Sequence, residues 1–458
     1  MPAPRLPAAS PSEGGWAPPN RLVRAIGRWT LTALMVNIMI GSGIFGLPSA
    51  LAGLLGRASL WALLIGGTAT AILVASFSEV ASYFTAAGGP YLYTRVAFGR
   101  FAGLQMGWLF WLARVTAPAA NANIFVVYLA EFWPRATAPL PRFVILTVLI
   151  WGLALINCLG VRRAARTSNV FTVAKLLPLV IVGIAGLVFF LAHPGVSAIA
   201  SNTPLHTPGM GSWLKASLLI VFAFGGFDAA MTPTSEVKNP RRDTAFALFA
   251  AVAACTVIYL LVQWAALVTV PDLAHSPRPL ADSARNAMGH AGAVLISVGA
   301  VISVFGNLTA NLLGVPRITF ALAEQGDFPA FFAAVHPRFR TPYVSILTFA
   351  LLLWLFALMG NFAWNAVLSA TGRLIYYAAI CVAVPVLRKK FPGEAQIRLP
   401  GGLVLAAIGV VICAVLMTAV NRGGTLILLA TSAVAAVNWW LVRKRAPIVD
   451  ALVARLPG

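Results

Sequence analysis

The sequence predicts an all-α membrane protein of twelve transmembrane helices, built as a 5+5 inverted repeat with helices 1 and 6 broken and two further helices at the C-terminus. Three observations lead there: too little charge for an aqueous surface, twelve apolar runs of spanning length, and glycine-rich interruptions in the first and sixth runs. Of 458 residues, 10% are charged and 60% hydrophobic, with a mean hydropathy of +0.87. Soluble domains carry about a quarter charged residues, so aqueous globular, fibrous and disordered classes are excluded and the bilayer must be the solvent.

A hydrocarbon core about 30 Å thick takes roughly 20 apolar residues per helix. Runs of that kind fall near 29–54, 58–82, 101–132, 142–160, 170–192, 211–235, 244–270, 291–324, 342–359, 362–387, 402–421 and 424–442. They divide the chain into an unstructured N-terminal tail (1–28), a first half (29–192), a second half (211–388), the last two helices (401–443) and a C-terminal tail (444–458). The tail holds prolines and arginines and no apolar segment of the kind a cleaved signal needs.

The net charge of +21 would suit nucleic acid if the basic residues formed one patch. They form short clusters between apolar runs instead, such as Arg162, Arg163 and Arg166. With the N-terminus inside, alternate loops and both tails hold 23 Lys and Arg against 6 in the opposite loops. This bias puts both termini in the cytoplasm of a cell-membrane protein. Cys158, Cys255, Cys381 and Cys413 all lie in apolar runs without CxxC spacing, and no histidines share a metal-ligand spacing. Neither a disulfide framework, a metal site nor a cofactor is indicated.

In the first run Gly41, Ser42, Gly43 and Gly46 surround the centre, with Pro48 beyond; in the sixth, Gly225 and Gly226 precede Asp228 and Pro233. Glycine costs roughly 1 kcal/mol and proline about 3 inside a helix, so both helices should unwind there. Matching breaks five spans apart imply two halves of opposite orientation. Irregular backbone at mid-membrane needs partners from protein, water or ligand. Half-helix N-termini offer N–H donors to a carboxylate and half-helix C-termini offer carbonyls to an ammonium, so one site can hold both ends of a zwitterion. The alternative is that the small residues only permit close helix packing.

The segment NIMIGSGIFGLP (37–48) resembles the first-helix motif of the amino acid, polyamine and organocation superfamily of permeases. GGPYLYTRVAFG (88–99), FAFGGFDA (222–229), EVKNPRR (236–242), GVPRITFALAEQGDFP (314–329), VHPRFRTP (335–342), VLRKKFP (386–392) and RLPGG (398–402) are similar to it in the same order. The resemblance implies a leucine-transporter-like fold and transport of L-amino acids by alternating access. It implies a substrate carboxylate on the N–H groups of Ser42 and Gly43 within the Gly41–Gly43 break, and an amino group on carbonyls near Ile40, Phe222 and Gly225, with Gly226 beside them. It also implies an aromatic gate at Phe222. Asp228 stands where relatives usually carry Glu. Lys175 matches a fifth-helix lysine of proton-coupled and exchanger branches, where its ammonium takes the place of sodium; snorkelling to the interface is the alternative.

Charges inside spans are functional hypotheses by default. Arg114, roughly 20 Å into its span, needs a partner: either Asp228 or carbonyls of a broken helix. Arg317 and Arg373 read as structural. The favoured function is sodium-independent secondary transport of an amino acid, with proton coupling preferred; exchange, and a membrane receptor that does not transport, are the alternatives. Neither HExxH nor GxSxG occurs in a span, which argues against an enzyme. The loop 133–142 lacks the cysteine through which some relatives bind a glycoprotein heavy chain, so no such partner is expected.

Overall fold

The computed structural model describes residues 27–84, 89–159, 168–193, 207–230, 240–393, 395 and 397–443, and every regular element among them is helical. The tails, the cluster at Arg162–Arg166, Lys238, and the side chains of Ser42, Lys175, Arg241 and Arg242 lie outside the described residues. The first apolar run folds as α1 (Arg28–Met39), a 3-10 turn over Ser42–Phe45, and α2 (Leu47–Leu55). It is followed by α3 (Ser59–Ala81), α4 (Gly89–Phe98), α5 (Arg100–Leu129), α6 (Pro139–Cys158) and α7 (Ser168–Ala192). The sixth run is α8 (Met210–Phe224) and the one-turn α9 (Phe227–Ala230). Then come α10 (Pro240–Thr269), α11 (Pro279–Glu324), α12 (Tyr343–Met359), α13 (Phe362–Lys390), α14 (Gly402–Met417) and α15 (Arg422–Val442).

Six helical runs among the described residues are long and apolar enough to cross a membrane, counting α2 and α3 as one, and four shorter apolar helices join them. The 30-residue α5 falls outside that set because its middle is polar: it carries Gln105, Arg114, Asn121 and Asn123. Such a helix belongs inside the bundle, and α5 packs extensively on α13. Large apolar side chains elsewhere stay uncovered, among them Trp61, Val148, Leu155 and Leu426. On a protein in water this would be a continuous adhesive surface; in a bilayer it is the lipid-facing band.

Two elements depart from the sequence expectation. The loop 83–100 contains α4, and the eighth run starts a dozen residues early, because α11 begins at Pro279 and kinks at Gly289 (φ 76°). Both stretches mix polar and apolar residues too evenly to register as membrane runs.

Charged residues tie the ends of the bundle. At the end carrying α4, Asp327 is fully buried and accepts from Tyr91, Arg95 and Arg100. Beside it, Arg388 grips Glu79 through two bonds of 2.5 and 2.8 Å, and Lys390 Nζ donates to the last carbonyls of α4 at Val96 and Ala97. At the other end, Arg285 pairs with Glu131 at 2.5 Å. There Arg142 donates to the carbonyls of Ala357 and Gly360 at 2.7 Å and to Asn123 Oδ1 at 2.9 Å, satisfying the exposed end of α12.

Candidate functional site

Both predicted breaks form, and they face one cavity. In the first run, Ile40 leaves the helix (ψ 81°), Gly41 is extended (ψ 171°), and the 3-10 turn restarts at Ser42. The opening N–H groups of that turn lack acceptors within it. In the sixth run, Gly225 is extended (ψ 159°) and Gly226 takes φ 110°, a conformation open to glycine and costly for other residues. The second break is held by Asp228, whose Oδ1 accepts the Gly226 N–H at 3.1 Å while its Oδ2 accepts the Tyr376 hydroxyl at 2.7 Å.

The cavity has a volume of about 60 Å³. At about 10–15 Å³ per water-sized group, that is room for a ligand headgroup. Gly41, Gly43, Phe222, Gly225 and Gly226, all singled out in the sequence, line it together with Arg114. Ile40 is buried behind the wall and does not line the cavity. Asp228 stands one layer back, as the residue that shapes the break. Lys175 lies on α7 with its side chain outside the described residues.

The proposed pairing of Arg114 with Asp228 does not form. Among the described residues Arg114 has no ion pair or hydrogen bond; its Nε is buried without a partner and its guanidinium lies 5.7 Å from the centre of the Phe110 ring. The alternative, bonds from Arg114 to carbonyls of a broken helix, is also unmade. Arg373, read as structural, takes the place beside Asp228 (Nη1 to Oδ1, 3.8 Å) and lines the cavity.

Sequence reasoning missed four more residues here. The Tyr259 hydroxyl from α10 reaches Ala223 O at 2.8 Å and Met39 O at 3.2 Å, bridging the last turns of α8 and α1 where the two breaks begin. Asn121 donates to Asn307 Oδ1 at 2.9 Å, with Asn311 bonded to the same oxygen, and the Asn121 Oδ1 is left without a partner. Polar residues at mid-span are the available signal, since each is expensive there; which of them face the cavity depends on helix rotation.

Phe222 closes the site on the side of the α12–α13 connection. A Cβ added at Gly43 would fall 2.5 Å from its ring, so the aromatic edge lies directly on the first break. The ring also meets Phe362 edge to face at 5.9 Å. Beyond Phe362 opens a wider chamber of about 760 Å³ lined by Gly46, Asn123, Arg142 and Trp364. On the opposite side, Trp108 stacks on Phe328 at 4.6 Å over the Asp327 cluster.

The amino acid permease family model matches residues 26–441. The chain is 29% identical to the methylthioribose transporter of Bacillus subtilis (strain 168) over 412 residues, covering 86% of this chain and 87% of that one. It is 27% identical, with the same coverage, to the branched-chain amino acid permease BcaP of that bacterium. It is 26% identical to the vacuolar cationic amino acid transporter 4 of Arabidopsis thaliana over 81% of this chain and 64% of that one. The family match, the transporters among its relatives and the apolar helical bundle agree: the chain belongs to the amino acid permease family, as a multi-pass membrane transporter.

Proposed function

We propose that this chain is a secondary transporter that moves an L-amino acid across the cell membrane by alternating access, without sodium and with proton coupling. The observation that carries the reading is the cavity framed by the two broken helices. Its first wall presents the N–H groups of Ser42 and Gly43 to a carboxylate, its second wall presents carbonyls to an ammonium, and Asn121 Oδ1, without a partner, adds an acceptor from α5. The Phe222–Phe362 contact serves as the thin gate, and the α4 side, closed by Tyr91, Arg95, Arg100 and Asp327, as the thick one.

The twelve-span inverted repeat and cytoplasmic termini belong to the same proposal. They are supported by the paired breaks and by the helices α4 and Pro279–Met288, each between the second and third span of its half. The 23-to-6 basic bias supports the orientation. Sodium independence rests on Lys175, taken to occupy the sodium position and to load and release a proton.

Uptake of labelled amino acids into proteoliposomes tests the function. Uptake should persist when choline replaces sodium, rise when the outside is made acidic, and fall in Lys175→Ala. Uptake that needs sodium, or is indifferent to both the pH gradient and Lys175, would defeat the coupling scheme. Substrate binding without any uptake or counterflow would identify a receptor instead.

A further inference from the structure

We propose that the cavity selects an acidic amino acid, whose second carboxylate sits between the guanidinium groups of Arg114 and Arg373. This rests on the amino acid reading above and names the class of substrate. Arg373 is 3% exposed, and its Nε and Nη1 have no hydrogen-bond partner. Its nearest carboxylate oxygen, Asp228 Oδ1, is 3.8 Å away and already accepts from Gly226, while Asp228 Oδ2 is engaged by Tyr376. The guanidinium lies directly over the second break, since a Cβ on Gly225 would fall 1.7 Å from Nη1. Arg114, across the same cavity, has a buried Nε without a partner and no ion pair among the described residues.

Charge balance decides what the two arginines await. Among the described residues this layer holds two guanidinium groups and one carboxylate, a surplus of one positive charge. A buried cation without a partner is costly, and planar guanidinium donors match a carboxylate. A neutral zwitterion satisfies the broken helices and leaves the surplus in place. A cationic amino acid adds to it. An α-amino acid with an anionic side chain removes it, placing one carboxylate on the first break and the other on the arginines.

Equilibrium binding to the purified full-length protein in nanodiscs tests this, with glutamate, aspartate, alanine, leucine and lysine as ligands in chloride and in gluconate buffer. Glutamate or aspartate should bind at least about tenfold tighter than alanine, leucine or lysine, about 1.4 kcal/mol, equally in both buffers. Arg114→Gln should narrow that ratio by about tenfold, and Arg114→Lys should narrow it less. Tight binding of neutral or cationic amino acids with weak binding of acidic ones overturns the proposal and leaves the transport reading standing. Neutral amino acid binding that requires chloride overturns it too, by assigning the arginines to a free anion. Binding of no amino acid at all fells the transport reading itself, and this proposal with it.

Discussion

Gly226 shows how much of the site hangs on one backbone angle. Its φ of 110° turns the chain so that its N–H meets Asp228 and the sixth run stops being a helix. An alanine there pays about 1–2 kcal/mol of left-handed strain, and its Cβ would approach Ile38 O at 3.0 Å. Gly226→Ala is therefore expected to lower substrate affinity about tenfold or more, measured by calorimetry. Tyr259 acts differently, because its hydroxyl ties the ends of α1 and α8 together through Met39 O and Ala223 O. Tyr259→Phe removes a bond of about 1 kcal/mol and should raise the apparent KM of uptake severalfold with little change in expression. An unchanged KM would mean that the bridge does not shape the site.

The helix α4 has a different task. It is too short and too polar to span, and what keeps it across the end of the bundle is Asp327, reached by Tyr91, Arg95 and Arg100, with Lys390 closing its last carbonyls. Removing the carboxylate charge breaks the buried ion pairs that Arg95 and Arg100 make with Asp327, a loss of about 3–5 kcal/mol by comparison with other broken buried pairs. In Asp327→Asn the seal should loosen. A cysteine placed at Thr94, fully buried here, should then react with a maleimide faster than in the Asp327 background, in protein lacking Cys158. Equal labelling rates would show that α4 is held by its apolar contacts alone.

Across the whole molecule, basic residues and helix breaks make a joint prediction about topology. The connection holding Arg57 and the one holding Arg135 should lie on one side of the membrane, and the end holding Lys389 on the other. Single cysteines at these three positions in intact cells check it: the first two should react with an impermeant maleimide, and the third only after permeabilisation. The reverse pattern would turn the thin gate at Phe222 and Phe362 toward the cytoplasm and invert the direction of the proposed cycle.

Membrane residence and the position of both breaks were legible in the sequence, since each follows from local composition: apolar runs against a bilayer, and glycine pairs against helix propensity. Five of the six predicted binding residues whose side chains are described line the cavity for the same reason. The short helix α4 and the early start of α11 were not legible, because neither has a one-sided apolar pattern. Nor was the exchange of Arg373 for Arg114 beside Asp228, nor the bridge made by Tyr259. Depth along a helix is a count of residues, and the sequence supplies it. Which side of the helix faces the cavity, and which charge meets which, depends on rotation and packing between segments more than a hundred residues apart in the chain, and only the folded bundle decides that.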